Sequence, residues 1–295
     1  MSTAYLFPGQ GSQFVGMAKD HFDANAEFAT MINQANEILG FDLSKIMFEG
    51  PEEELKLTGF TQPAIFLHSV ALYKTLDATP DMVAGHSLGE FSALVACGAT
   101  TFEDTLKIVR KRGELMQQAG VDHPGTMAAI IGMDDEAVEK VCAEATSATG
   151  KEVIPANYNC PGQLVISGYL EAVETAVELA SAGGARMAKL LPVSGAFHSS
   201  LMQPAYDGLK SGLEELNISV PSCPIYSNYT AKPTTDVEEI RSNLLNQLLN
   251  PVRWTQTLEN MIEDGASSFV EVGPGKVLQG LVKRTNRKAE ISGHQ

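Results

Sequence analysis

Apolar positions along this chain fall into short continuous runs separated by longer stretches with helical spacing. The segment "TAYLFPG" reads as a short buried strand stopped by Pro8 and Gly9, and "DMVAG" as a second apolar strand. Between them a helical pattern covers about Pro63 to Leu76, with Thr61 as its cap. Leu88 to Ala96 carry good helix formers after a sharp turn, and Phe102 to Ala119 fit a helix again. Strands alternating with helices predict a parallel sheet covered on both faces.

The middle of the chain has a different rhythm. "TMAAIIG" is a strand, "DDEAVEKVCAEAT" an amphipathic helix with acids in its first turn, and "EVIPANYN" and "GQLVISG" are strands joined by a turn at Pro161-Gly162. "YLEAVETAVELASAG" is a helix and "ARMAKLLPV" a last strand. This strand-helix-strand-strand-helix-strand order predicts a ferredoxin-like subdomain. It is placed at residues 125–194, inserted into a discontinuous catalytic domain formed by 1–124 and 195–295. After it the chain resumes alternating helix and strand, ending in "SSFVEVGPGKVLQGL".

Composition narrows the function. The chain has 295 residues, 44% of them hydrophobic, enough for a sizeable core. A net charge of -15 argues against a nucleic-acid partner, whose phosphates need a basic surface. An acidic partner would have to find a local basic patch. Cys97, Cys142, Cys160 and Cys223 are scattered with no CxxC pair, so neither a zinc site nor a disulfide framework is expected. The N-terminus lacks the pattern of a signal peptide, and no stretch is apolar enough to span a bilayer. The expectation is a soluble, cytoplasmic protein without membrane association.

The chemistry concentrates at "VAGHSLGEFSAL". A strand, a Gly85-His86-Ser87-Leu88-Gly89 turn and a helix make a nucleophile elbow, which exposes the serine hydroxyl at the edge of the sheet. The Leu88 N–H then points where an oxyanion would form. The plainer reading is a glycine-flanked helix cap. A serine nucleophile needs a base. Among the six histidines, His21 and His123 lie in polar surroundings, His294 falls in a frayed tail, and His68 belongs to a core helix. His86 adjoins the serine in the chain, where an elbow points neighbouring side chains apart. His198, in the loop "LLPVSGAFHSSLM", is left. No acid is singled out to orient it; a neutral polar group or a backbone carbonyl could serve. "FPGQGSQ" is a second glycine-rich turn after a strand, either structural or a second backbone donor near Gln10.

The motifs "FPGQGSQ", "TQPA", "GHSLGE", "RGELMQ", "NCPGQLVISG", "FHSSLM", "NPVRW" and "EVGPGK" occur in this order. From Tyr5 to Arg287 the chain resembles the malonyl-CoA:acyl carrier protein transacylases. The resemblance implies an α/β fold, an α/β-hydrolase-like parallel-sheet core with a ferredoxin-like insert. It implies ping-pong transfer of a malonyl group from malonyl-CoA to acyl carrier protein, with no metal or organic cofactor, by a monomer. Ser87 matches the family's nucleophile and His198 its base. Gln247 matches the residue that helps orient the histidine. The N–H groups of Gln10 and Leu88 match the oxyanion hole. Arg112 matches the arginine that pairs with the malonyl carboxylate, a task suited to its planar fork. Phe197, in "GAFHS", would crowd a methyl on the malonyl α-carbon.

Lys276, Lys283, Arg284, Arg287 and Lys288 cluster near the C-terminus. They form either a solvated helix face or a dock for the acidic carrier protein. Three rivals stay open: a free-standing polyketide acyltransferase, an acyl-thioester hydrolase, and a carrier-binding protein without catalysis. A single-enzyme chain with no fused partner favours the fatty-acid role.

Overall fold

The computed structural model describes residues 2–295. Its strands are β1 (Ser2–Phe7), β2 (Met82–Gly85), β3 (Thr126–Ile131), β4 (Val153–Cys160), β5 (Gln163–Gly168), β6 (Met187–Leu190), β7 (Ile225–Tyr226), β8 (Pro233–Thr234), β9 (Ala266–Val272) and β10 (Glu290–His294). They form a six-stranded sheet, in order β10-β9-β1-β2-β7-β8, and a four-stranded sheet, in order β4-β5-β3-β6.

The larger sheet is parallel except for its edge strand β8. Its central strands have no polar face because both faces are covered. Side chains alternate between two cores: Tyr5, Phe7 and Val83 face one, Ala4, Leu6, Met82 and Ala84 the other. Helices Thr58–Lys74, Gly89–Ala96 and Phe102–Asp122 build the first core. Helices Trp254–Glu263 and Val277–Thr285 build the second.

Two expectations need correction. The helix expected from Pro63 starts earlier, at Thr58, and Thr61 is inside it, its hydroxyl donating to the Leu55 carbonyl at 2.5 Å. A helical proline withholds an N–H from the carbonyl four residues back, here Gly59. That carbonyl accepts instead from Arg110 Nη1 at 2.6 Å, so the helix runs through its proline. The second correction is His294, which lies not in a frayed tail but in β10, paired with Val272 of β9.

The smaller sheet follows the predicted element order, with helices Asp135–Thr149 and Leu170–Ala182 between its strands, and all its pairs are antiparallel. Ala128, Ile130, Leu164 and Ile166 pack with those helices into a separate core. Met127 and Val165, on the opposite face, join the first core of the larger sheet. Main-chain bonds from Tyr158 N–H to the Val252 carbonyl (2.9 Å) and from Val252 N–H to the Ala156 carbonyl (2.8 Å) tie β4 to the rest of the chain. Among the described residues, no helix is long and apolar enough to cross a membrane.

Candidate active site

β1 and β2 are bonded neighbours with Phe7 opposite Gly85, so the two glycine-rich turns that follow them emerge side by side. The elbow is close-packed backbone. A Cβ on Gly85 would lie 1.8 Å from the Gly89 carbonyl carbon, and one on Gly89 would lie 2.0 Å from the Phe7 carbonyl oxygen. Between them Ser87 adopts φ 51°, a left-handed conformation that is uncommon and strained for a residue with a side chain. Asn228 holds the turn: its Oδ1 accepts from Ser87 N–H at 2.6 Å and its Nδ2 donates to the Gly85 carbonyl at 2.7 Å.

Ser87 Oγ lies 2.9 Å from His198 Nε2. On the other side of the ring, His198 Nδ1 donates to the main-chain carbonyl of Gln247 at 2.8 Å. That bond places the proton on Nδ1 and leaves Nε2 free to accept one from the serine. His198 is buried, which pushes its pKa down to about 3, with the charge of Arg112 adding to the effect. The imidazole is therefore neutral at neutral pH, the state a base requires. The orienting group is a backbone carbonyl, so no carboxylate is needed.

The Gln247 side chain is engaged elsewhere, with Oε1 accepting from Arg112 Nη2 at 2.8 Å. Arg112 is only 1% exposed, yet its guanidinium reaches Ser87 Oγ (3.2 Å) and Gln62 Oε1 (2.7 Å), and its Nε has no partner. Burial lowers its pKa to about 10 and Glu90 opposes that shift, so the group stays cationic at neutral pH. A buried cation with an unpartnered donor, in contact with a nucleophile, can pair with an anionic group on the molecule being attacked.

A cavity of about 230 Å³ opens at this point. Gln10, Ser87, Leu88, Arg112, Phe197 and His198 all line it, and Gln247 lies behind them, fully buried. The backbone N–H groups of Gln10 and Leu88 make no hydrogen bond among the described residues. Val277, Leu278 and Leu281 of the helix Val277–Thr285 complete the wall. Lys276, Lys283, Arg284, Arg287 and Lys288 are exposed on and around this helix, and the Arg284 guanidinium donates to Gln163, another cavity residue. Thus every residue singled out in the sequence for catalysis or acyl binding gathers at one cavity, and the basic cluster flanks it.

Three participants were not singled out. Gln62 and Glu90 lie inside the quoted motifs "TQPA" and "GHSLGE", where their presence was a signal without an assigned role. Asn228 had no signal; only the fold brings it to Ser87.

Residues 4–294 match the family model described as acyl transferase domain. The chain is 47% identical over 288 residues to the malonyl CoA-acyl carrier protein transacylase of Bacillus subtilis, covering 97% of this chain and 90% of the relative. Among solved structures it is similar to an acyl carrier protein S-malonyltransferase from Vibrio cholerae, with TM-score 0.95, 44% identity, and 100% and 97% of the two chains covered. It is also similar to the structure of a type II PKS acyl-carrier protein in complex with its malonyl-transacylase, with TM-score 0.94, 42% identity, and coverage of 99% and 95%. With a family model spanning nearly its whole length, and an elbow, base and buried cation meeting at one cavity, the chain belongs to the acyl transferase domain family.

Proposed function

We propose that the chain transfers a malonyl group from malonyl-CoA to the phosphopantetheine thiol of acyl carrier protein, through an ester on Ser87. The observation that carries this reading is the buried Arg112 guanidinium 3.2 Å from Ser87 Oγ, beside a serine already bonded to a neutral, oriented histidine. Ser87 Oγ gives its proton to His198 Nε2 and attacks the thioester carbonyl. The carbonyl electrons move onto oxygen, which the Gln10 and Leu88 N–H groups receive. Collapse breaks the C–S bond, and the leaving thiolate takes the proton from His198. In the second half the carrier thiol gives its proton to His198 and attacks the ester, and Ser87 leaves with that proton. Arg112 holds the malonyl carboxylate throughout, and Phe197 limits bulk at the α-carbon.

A thioester hydrolase shares the first half of this scheme. A carboxylate receptor confers no benefit on attack by water as such, and the named relatives are transferases. A carrier-binding protein without catalysis would have no use for the aligned serine and histidine. Transfer within fatty-acid synthesis is the role we assign. The solved complex with a type II PKS carrier keeps the polyketide role as the second reading, since that enzyme is 42% identical to this chain. The reading further comprises a cytoplasmic monomer without cofactor, a catalytic domain of 1–124 and 195–295, an insert of 125–194, and carrier docking on the basic cluster.

Intact mass after exposure to malonyl-CoA tests the reading. A malonyl increment is expected that persists in buffer and disappears when carrier protein is added, and Ser87→Ala should show none. Release of free malonate without carrier would instead identify a hydrolase.

A further inference from the structure

Glu90 is a carboxylate in the first turn of the helix Gly89–Ala96, only 2% exposed, and does not line the cavity at Ser87. Both of its oxygens face donors. Oε1 accepts from Asn228 N–H at 3.1 Å, and Oε2 accepts from Gln247 Nε2. The second hydrogen of Gln247 Nε2 goes to the Ser87 carbonyl at 3.0 Å. With both amide hydrogens committed, Gln247 Oε1 must turn the opposite way, where it meets Arg112 Nη2. Arg112 can only donate, so a flipped amide would set N–H against N–H.

We propose that Glu90 is a positioning residue that fixes the amide of Gln247 and, through it, aims the Arg112 guanidinium at the acyl carboxylate. Its two neighbours are both donors, so the position calls for a group that only accepts. A glutamine would turn its own NH2 on either Asn228 N–H or Gln247 Nε2, both donors. An aspartate would keep the charge but withdraw it by a methylene. Burial pushes the Glu90 carboxyl up to about 7, while the bonds from Gln247 and Asn228 and the charge of Arg112 favour its ionised form. Keeping a carboxylate in such a place is costly unless its oxygens are hydrogen-bonded and a counter-charge lies near, here the Asn228 and Gln247 donors and the Arg112 cation. The carboxylate also gives the buried arginine a counter-charge before substrate arrives.

The inference rests on malonyl transfer as the reaction, so the experiment begins with acylation of the wild-type chain by malonyl-CoA and by acetyl-CoA. No malonyl-enzyme there would refute the reaction and leave Glu90 out of the question. If wild type is acylated, the readout is the ratio of kcat/KM for malonyl-CoA to that for acetyl-CoA in Glu90→Gln and Glu90→Asp. A misaimed Arg112 harms only the carboxylated substrate, whereas general damage lowers both values together. Glu90→Gln should lower the ratio by about tenfold or more, the scale of one charge-assisted hydrogen bond. Glu90→Asp should fall between it and wild type, and serves alone if the glutamine variant does not fold. In an Arg112→Ala background the same substitutions should leave the ratio where Arg112→Ala puts it, because residues acting through one another are not additive. A wild-type ratio in any variant that folds, or a further additive drop in the Arg112→Ala background, overturns the proposal.

Discussion

Arg112 is charged, almost without solvent contact, and holds three polar partners while its Nε donates to none. A charge-assisted bond contributes roughly 1.5–3 kcal/mol, so its loss costs on the order of tenfold to a hundredfold. Arg112→Ala should therefore lower kcat/KM for malonyl-CoA by that factor. The value for acetyl-CoA, which has no carboxylate to pair, should be unchanged. Equal losses for both substrates would make Arg112 a structural residue. At this scale the sequence was informative where chemistry is local. Ser87 is announced by the glycines on either side, and the structure gives the reason, since Gly85 and Gly89 touch backbone on both flanks. His198 was reached by elimination among six histidines and Arg112 only through the resemblance, because nothing in "GAFHS" or "RKRGEL" shows that these side chains are buried. Asn228 was beyond reading: its bond to Ser87 spans 141 positions of chain.

Among the elements, the helix Thr58–Lys74 owes its first turns to a neighbour. Arg110, from the helix Phe102–Asp122, supplies the donor that Pro63 withholds, with its guanidinium 4.9 Å from the Phe41 ring centre and 4.8 Å from that of Phe60. Arg110→Ala should cost about 1–3 kcal/mol, the scale for leaving a buried acceptor unsatisfied, read as a lower urea midpoint at unchanged slope. No change in midpoint would mean that water replaces the arginine. This compensation is why the local pattern places the helix start later than the fold does. Proline suggests an early helical position, and a donor fifty residues away in the chain is invisible to local pattern. The helix Val277–Thr285 divides its labour, with Leu278 and Leu281 in the cavity wall and Lys283 and Arg284 at its exposed end. Reversing both charges, Lys283→Glu with Arg284→Glu, should raise KM for carrier protein, most at low ionic strength where screening is weakest. A rise confined to malonyl-CoA would assign the cluster to the CoA phosphates.

Over the whole molecule, burial has consequences for acid stability. His68 stands in the first core with neither ring nitrogen bonded, and burial pushes its pKa down to about 3, as it does for His198. In the unfolded chain an imidazole takes up a proton near pH 6.5, whereas in the fold these two stay neutral until far lower. Their contribution is thus present above pH 6.5 and is lost as pH falls from there toward 3, at up to about 1.4 kcal/mol per pH unit for each. His68→Phe should make stability fall less steeply between pH 6.5 and 5, by about one histidine's share, as measured by urea unfolding at stepped pH. Identical slopes for variant and wild type would show that His68 titrates normally in the fold. The alternation of strands and helices made this architecture legible, including the antiparallel order of the middle segment. The two-residue strands β7 and β8 and the edge strand β10 were not legible, because pairs of residues and a polar tail carry no periodicity of their own.

The smaller sheet has two faces with different occupations. Its own helices grip Ala128, Ile130, Leu164 and Ile166, while Met127 and Val165, one position away on the same strands, look into the cavity. Ser87 and its glycines belong to the other sheet. The nucleophile and this stretch of cavity wall are therefore carried by different sheets, and the wall can change one residue at a time on strands already anchored from behind by their own helices.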